Sequence, residues 1–196
     1  MHSTLCKYWY MIWTLPNIFI LKLRGIQFKG LSYFGGRTYA TRQNGSSIVI
    51  GKGCRFMSKD IGNLIGLNHR CILATGTKNA QLFIGNNCSF SGVSIWCFDS
   101  IRLGNNVRVG ANVTIMDGDA HQNDPRAGVN KAIEIEDNVW IGSSVTILKG
   151  VHIGRNSLIG AGSIVTKDIP ENSIAAGNPC KVIKSMEEET IKQLEA

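Results

Sequence analysis

The sequence has little proline, few charged residues and no closely spaced pair of cysteines. Only 4 of its 196 residues are proline, and its 22 glycines follow no Gly-X-Y period, which excludes a collagen-like chain. A charged fraction of 18% beside a hydrophobic fraction of 43% excludes a disordered chain. The six cysteines form no C-x-x-C pair and no secretory signal precedes them, so we expect reduced thiols and no metal site.

The length and the charge narrow the possibilities further. A chain of 196 residues is expected to form one domain with small additions. The formal net charge of +7 suits an anionic partner such as nucleic acid, acidic lipid or a phosphorylated small molecule. Because charge is the only feature that favours nucleic acid, we expect none to bind.

A six-residue period dominates the second half of the chain. It does not fit the 3.6 residues of a helical turn, and it predicts short flat strands joined by corners, with three hexads closing a triangular coil. A second small or apolar residue recurs in each hexad, so two positions per hexad should face inward. The first series is Ile135, Ile141, Ile147, Ile153, Ile159 and Val165, and the second is Val139, Val145, Val151, Ser157, Ser163 and Ile169.

The same phase appears earlier in the chain and sets the predicted boundaries. It is visible in Leu103, Val109 and Ile115, in Ile84, Phe90 and Trp96, and in Ile50 and Phe56. We therefore predict an all-β fold, with an N-terminal extension or cap over residues 1–47 and a hexapeptide-repeat β-helix over 48–176. Residues 177–196 should form a turn and then a helix from Ser185 to Glu195, since Ser185 and Glu188 make a capping box.

The period breaks once, between Ile115 and Ile135, where 20 residues replace the expected 18. The segment is polar and should leave the coil as a loop over residues 117–132. Loops on a rigid scaffold often carry catalytic groups, and this one holds Asp117, Asp119 and His121. The alternative is a surface histidine without a role.

The stretch from Val139 to Lys184, VWIGSSVTILKGVHIGRNSLIGAGSIVTKDIPENSIAAGNPCKVIK, resembles the C-terminal signature of hexapeptide-repeat acyltransferases of the galactoside, maltose and chloramphenicol acetyltransferase type. That resemblance implies a left-handed parallel β-helix, commonly a homotrimer, with acetyl-CoA bound between subunits. It also implies an acetyl-CoA-dependent O-acetyltransferase.

The resemblance further implies roles for individual residues. His121 matches the catalytic base, with Asp117 or Asp119 orienting its ring or contacting the acceptor, and Trp140 matches an aromatic wall near the acyl and acceptor site. Other positions match the donor site: Ser143, Gly160 and Ala161 at the thioester and pantetheine, and Thr166, Lys167, Lys181 and Lys184 at the CoA phosphates. The alternatives are that the tryptophan only packs against the coil, that the two aspartates are ordinary loop carboxylates, and that the lysines are simply solvated.

The N-terminal segment is apolar and rich in aromatic residues. Its run from Tyr8 to Leu21 has 14 residues, fewer than the ~20 needed to span a bilayer. Aromatic and basic residues together suit a peripheral contact with the inner face of the membrane through residues 1–25, in an otherwise cytoplasmic protein. The alternative is a segment that packs over the first coil or between subunits.

The sequence thus favours transfer of an acetyl group to a saccharide hydroxyl, because the spacing D-G-D-A-H and the apolar extension resemble transferases that decorate O-antigen or capsular polysaccharide. N-acetylation of an amino sugar and a noncatalytic β-helix scaffold stay open. A β-helical carbonic anhydrase would need several histidines where the loop has one, and a sugar nucleotidyltransferase would need more than 47 residues for its nucleotide domain.

Overall fold

The computed structural model describes residues 2–59, 65–121 and 123–195, and within these it describes side chains from residue 12 to residue 194. After the helix α1 (His2–Leu23), parallel strands follow one another in successive coils, three to a coil. Two further elements, a strand and a helix, close the chain.

The coils contain the following strands. Coil 1 holds β1 (Gln27–Phe28), β2 (Tyr33–Gly35) and β3 (Tyr39–Thr41); coil 2 holds β4 (Ser47–Ile50), β5 (Arg55–Met57) and β6 (Ile72–Thr75); coil 3 holds β7 (Gln81–Ile84), β8 (Ser89–Ser91) and β9 (Ser94–Cys97). Coil 4 holds β10 (Ser100–Leu103), β11 (Arg108–Ala111) and β12 (Thr114–Met116); coil 5 holds β13 (Ile133–Ile135), β14 (Trp140–Ile141) and β15 (Thr146–Ile147); coil 6 holds β16 (His152–Ile153), β17 (Leu158–Ile159) and β18 (Ile164–Val165). The last elements are β19 (Ser173–Ala176), β20 (Lys181–Ser185) and α2 (Glu188–Glu195).

The strands stack into the three faces of a triangular prism. The first strand of each coil pairs in parallel with its counterparts to form sheet A, the second strands form sheet B and the third strands form sheet C. We name the corners between these sheets the AB, BC and CA edges. At ~4.8 Å per paired strand, the six coils rise roughly 25 Å from the first to the last.

The predicted inward positions are confirmed over coils 4 to 6. Both hexad series from Ile135 to Ile169 are buried, with exposed fractions of 2% or less. In coil 3 the phase slips, because only five residues separate buried Phe90 from buried Ile95. Trp96, which the hexad pattern placed inside, is instead 39% exposed on sheet C.

An asparagine ladder supports the AB edge. Asparagine tolerates the left-handed conformation that this corner requires better than other residues with a side chain. The side-chain amides also bond from coil to coil, with Asn106 donating to Asn138 at 3.0 Å and Asn138 donating to Asn156 at 3.1 Å. The asparagines with positive φ at this edge are Asn87, Asn106, Asn138, Asn156 and Asn172.

The β-helix begins with coil 1 at Gln27, about one coil earlier than predicted, so the extension before it is much shorter than 47 residues. Phe34 of coil 1 stacks on Phe56 at 5.1 Å, and Phe56 stacks on Phe90 at 4.9 Å. The aromatic column continues the core into the segment that sequence reasoning treated as a separate cap.

Two other segments differ from the predictions. Residues 58–71 join β5 to β6 as a second excursion from the coil, of which 60–64 lie outside the described residues. At the C-terminus, β20 pairs antiparallel with β19 and includes Ser185, so the helix starts later, at Glu188. Ser185 is therefore a strand residue paired with Ser173 and does not cap the helix.

Helix α1 covers the free end of coil 1. The unpaired strand edge there needs hydrogen-bond partners. Asn17 Nδ2 donates to Gly36 O at 3.0 Å, Thr38 N donates to Asn17 Oδ1 at 2.9 Å, and Phe34 N donates to Thr14 Oγ1 at 3.1 Å. Among the described residues, no helix combines the length and the apolarity needed to cross a bilayer.

Candidate active site

Residues 117–132 leave the CA edge after β12 and return at β13. The backbone closes the neck of this loop, because Lys131 N donates to Asp117 O at 2.9 Å and Gly150 N donates to Lys131 O at 2.9 Å. The loop is therefore bonded both to itself and to the corner of coil 5 beside it.

Asp117 anchors the loop from inside. Its carboxylate is fully buried and accepts hydrogen bonds from Phe98 N at 2.6 Å and Asp99 N at 2.9 Å, with Cys97 Sγ at 3.6 Å. Burial raises the pKa of Asp117 above its usual value, although the two N–H donors oppose the shift. The predicted role of Asp117 at the acceptor is wrong, since no part of its side chain reaches the surface.

Asp119 braces the outer part of the loop. Its Oδ2 accepts hydrogen bonds from Lys149 Nζ at 2.6 Å and from Gly128 N at 3.1 Å. The hydrogen bond from the Lys149 ammonium lowers the pKa of Asp119. A contact of Asp119 with an acceptor stays a prediction.

His121 is exposed at the surface of the loop. Its carbonyl oxygen accepts a hydrogen bond from Asp124 N at 3.0 Å, and the Asp124 carboxylate pairs with Arg126 at 2.7 Å. These bonds, with the neck and the two aspartates, fix the backbone on both sides of an imidazole that solvent can reach. An imidazole in such a position can act as a general base toward a bound molecule.

A narrow strip of backbone runs along the BC edge. A Cβ on Gly142 would lie 2.6 Å from Ala161 N, and a Cβ on Gly110 would lie 2.7 Å from Ser143 N, so only glycine allows successive corners to stack this closely. The N–H groups of Ser143 and Ala161 donate to no acceptor among the described residues. Gly160 belongs to the same strip. The Ser143 and Ala161 N–H groups are therefore available to an external ligand, whereas Gly160 N donates to Ala175 O at 2.8 Å.

Trp140 lies on sheet B beside this strip and is 53% exposed. It lines a groove of about 670 Å³ between sheet B and α2. Arg55 and Arg108 line the same groove and occupy the same register as Trp140 on other coils. Neither guanidinium is paired with a carboxylate in the described part of the chain.

Sequence reasoning missed these two arginines. The signal was present, since Arg55 and Arg108 each follow a buried corner residue and precede a buried strand residue, as Trp140 does. They are two strand spacings apart, which places their Cα atoms roughly 10 Å from each other.

The predicted phosphate-binding residues are all exposed but fall in two places. Thr166 and Lys167 lie on the CA edge of coil 6, on the same edge as the loop of His121. Lys181 and Lys184 lie on β20 at the end of sheet B. None of the three lysines pairs with a carboxylate in residues 2–59, 65–121 or 123–195.

The chain on its own therefore divides the candidate site between two edges. His121, Thr166 and Lys167 belong to the CA edge, whereas Ser143 and Ala161 belong to the BC edge. Each face of the triangular coil is about six residues long. At 3.3 Å per residue, two neighbouring edges are therefore up to roughly 20 Å apart. Sheet C lies between them.

Two family models match the repeats. The model described as bacterial transferase hexapeptide (six repeats) matches residues 132–167, and the hexapeptide repeat of succinyl-transferase matches residues 81–116. Among curated proteins, a galactoside O-acetyltransferase of Lactococcus lactis is 43% identical over 122 residues, covering 60% of this chain and 58% of that protein. The chain spans about half the length of the curated relatives it matches.

Solved structures agree with the fold. A galactoside acetyltransferase in complex with coenzyme A superposes with a TM-score of 0.51 at 29% identity, over 83% of this chain and 67% of that chain. An N-acyltransferase from Bacillus cereus in complex with dTDP and 3-hydroxybutyryl-CoA superposes with a TM-score of 0.66 over 90% and 92% of the two chains. At 16% identity the latter likeness concerns the fold alone.

These likenesses and the coil geometry confirm the predicted left-handed parallel β-helix. The hexapeptide matches lie in coils 3 to 6, which are the coils that flank the loop. The chain carries hexapeptide repeats of the bacterial transferase kind and is similar to hexapeptide-repeat acetyltransferases such as the galactoside O-acetyltransferase of Lactococcus lactis.

Proposed function

We propose that the protein is an acetyl-CoA-dependent O-acetyltransferase that acetylates a saccharide hydroxyl. The observation that carries the proposal is the exposed imidazole of His121 on a loop tied to the coil by buried Asp117 and by the Asp119–Lys149 pair. The similarity to a galactoside O-acetyltransferase supports the reaction class. The proposal locates the protein in the cytoplasm, on the inner face of the membrane.

His121 is the general base of the proposed reaction. A sugar hydroxyl is a weak nucleophile, and a base that takes its proton during attack typically contributes 10²–10⁴-fold in rate. Acetyl-CoA supplies the acetyl group as a thioester, which the hydroxyl oxygen attacks directly. The new C–O bond replaces the C–S bond, and the proton held by His121 passes to the departing thiolate.

The BC edge fits a pantetheine chain. The N–H groups of Ser143 and Ala161 are available, and one of them near the thioester carbonyl would stabilise the charge that develops on its oxygen. The glycines of this strip, Gly110, Gly142 and Gly160, present no side chain to a thin ligand. The ammonium groups of Lys167, Lys181 and Lys184 pair with no carboxylate in the described residues, and together with Thr166 they suit the CoA phosphates.

The groove on sheet B fits the acceptor. The exposed Trp140 ring can stack on a sugar, and the unpaired Arg55 and Arg108 favour a sugar that carries phosphate or carboxylate groups. Units of surface polysaccharide, O-antigen or capsule have this chemistry. We therefore propose an acidic saccharide of this kind as the acceptor.

A homotrimer would complete the site. The strands of sheet C contain no charged residue, whereas those of sheets A and B do, and the outer side of sheet C includes Ile72, Trp96 and Met116. This face lies between the BC and CA edges, so packing it around a threefold axis would bring the BC edge of one copy toward the CA edge of the next. Under this proposal His121 of one copy serves donor residues of its neighbour.

Release of free CoA tests the proposed function. The full-length protein is incubated with acetyl-CoA and one sugar of a panel: a neutral hexose, its 6-phosphate, a uronic acid, an amino sugar and a sugar nucleotide. The account predicts release that depends on an acidic sugar, with mass spectrometry locating one added acetyl group on oxygen. Acetyl found only on the nitrogen of the amino sugar would replace O-acetylation by N-acetylation, and no transfer to any sugar would contradict the proposal.

A further inference from the structure

The outer side of α1 is apolar and uncovered. Ile12, Leu15, Phe19 and Leu23 are 63–74% exposed, and their spacing of three and four residues aligns them along one side of the helix. We call these four residues the α1 stripe. The opposite side of the helix holds the coil, so the stripe points away from the β-helix. An apolar patch of this kind marks an interaction surface.

The positive charge of the protein is concentrated at the same end. The first 59 residues carry nine basic residues and no acidic one, so their charge is +9, and the remaining residues carry −2. The whole net charge of +7 therefore comes from the part of the chain that forms α1 and the first coils. The nine are Lys7, Lys22, Arg24, Lys29, Arg37, Arg42, Lys52, Arg55 and Lys59.

Several of these cations are free to meet an anionic surface. Lys22 on α1 and Lys29 and Arg37 on coil 1 are exposed, and none pairs with a carboxylate in the described residues. Arg24 instead has an internal role, donating to Ala40 O at 3.0 Å. The α1 stripe and these exposed basic groups therefore lie at the same end of the molecule, on α1 and on coil 1.

We propose that the α1 stripe docks on an anionic lipid bilayer, with α1 lying in the plane of the interface. Phe19 and the three aliphatic side chains would enter the boundary between headgroups and acyl chains, while Lys22, Lys29 and Arg37 meet lipid phosphates. An anionic bilayer would thus accommodate both the apolar side chains and the basic groups. A second copy of the chain fits less well, because pairing two stripes would bring two regions of +9 together.

The docking orients the whole molecule. Because α1 covers the end of the stack, the β-helix axis stands upright on the membrane, with β20 at the far end of sheet B. The loop of His121 leaves coil 4, three coil spacings above coil 1. With the ~10 Å diameter of α1 added, that coil stands roughly 25 Å from the interface. This step rests on the proposed function. If His121 is the catalytic base, the acceptor should be a lipid-linked glycan long enough to reach coil 4 from the interface.

Flotation with vesicles tests the docking surface. The full-length protein is mixed with vesicles of phosphatidylcholine and phosphatidylglycerol, or of phosphatidylcholine alone, without acetyl-CoA. We expect binding to the mixed vesicles that weakens with salt. Leu15→Ser and Phe19→Ser should each lower the partition coefficient roughly tenfold. Ile183→Ser is the matched control, because Ile183 is 66% exposed, as Phe19 is, at the opposite end of the molecule.

Sedimentation without vesicles checks for the alternative occupant. If Phe19→Ser changes the oligomeric state there, a second copy covers the stripe and the proposal is overturned. Equal flotation of Phe19→Ser and Ile183→Ser, both with wild-type melting temperatures, overturns it as well. Transfer to a soluble sugar is measured separately, so that loss of flotation with intact transfer refutes only the docking, and flotation without transfer refutes only the proposed function.

Discussion

The coil stack and the loop that leaves it are stabilised in opposite ways. The coils are held by buried apolar columns and by backbone ladders that run through three sheets. The loop of residues 117–132 is polar and is held by a few hydrogen bonds at its neck, at Asp117 and at Asp119. Stability therefore depends mainly on the coils and catalysis mainly on the loop. Substitutions in the coils should leave turnover intact, and substitutions in the loop should leave the free energy of unfolding intact.

The largest effect that we expect is the loss of catalysis when the loop loses its histidine. His121→Ala should lower kcat by about 10²–10⁴ because it removes the proposed base. The melting temperature and the affinity for CoA should stay at wild-type values, since the side chain is exposed. His69→Ala, at a half-buried histidine outside the loop, serves as the control in the same CoA-release assay, and near-normal turnover of His121→Ala would refute the base.

A substitution in the core of the coils should lower stability and leave catalysis unchanged. Phe56→Ala removes the middle ring of the stack formed with Phe34 and Phe90 and should lower the free energy of unfolding by about 3–5 kcal/mol. Turnover per folded molecule should hardly change, because coil 2 is two coils away from the loop. Urea denaturation followed by assays below the transition measures both quantities, and a selective loss of turnover would contradict the separation.

Asp117 is where the two regions meet, so its substitution should affect both. Asp117→Asn keeps one acceptor but turns an amide N–H₂ toward a backbone donor, which should cost about 1–3 kcal/mol. Loosening of the loop should lower kcat as well. Denaturation and kinetics on the same preparation test this, and loss of stability without loss of turnover would mean that the anchor does not position the base.

The pH dependence of stability sharpens the role of Asp117. Its raised pKa means that the folded state binds the proton more tightly than the unfolded chain does. Stability from this group is therefore full below the unfolded pKa of about 4 and declines as the pH rises through the folded pKa. The difference in unfolding free energy between wild type and Asp117→Asn should accordingly shrink with rising pH, whereas a difference that grows would contradict the raised pKa.

The smallest effects are expected at the lysines. Lys167→Ala, Lys181→Ala and Lys184→Ala should each raise KM for acetyl-CoA a few-fold, since exposed charge interactions are worth about 0.2–1 kcal/mol. Lys78→Ala, at an exposed lysine on the CA edge of coil 2, is the control. Measuring KM for acetyl-CoA at two salt concentrations distinguishes the three variants from the control. The difference in KM between wild type and each of the three variants should become smaller at high salt, because salt screens exposed charges. Equal KM for all four variants would remove these lysines from the donor site.

The sequence predicts coils 4 to 6 residue by residue because each hexad repeats two buried positions without interruption. Coil 1 was missed although Phe28, Phe34 and Ala40 are also six apart, because ten residues then separate Ala40 from Ile50 and the phase is lost. Local spacing records an inward position only while the corners keep a constant length. The slip at Trp96 has the same cause.

For the site, the sequence identified the loop but not the orientation of its carboxylates. Asp117 is buried because it lies one coil above the N–H groups of Phe98 and Asp99, a contact between segments that no local pattern contains. Arg55 and Arg108 were missed for a related reason. They join Trp140 in one column only when the strands are stacked in register.

A crystal structure of the wild-type protein with CoA bound tests the central claim most directly, because the claim divides one site between two edges of the β-helix. The account predicts that each CoA contacts two subunits, with its pantetheine about 2.9 Å from the N–H groups of Ser143 and Ala161 and its thiol beside His121 of the partner subunit. CoA held by one chain alone, or bound with its thiol away from any His121, would contradict it.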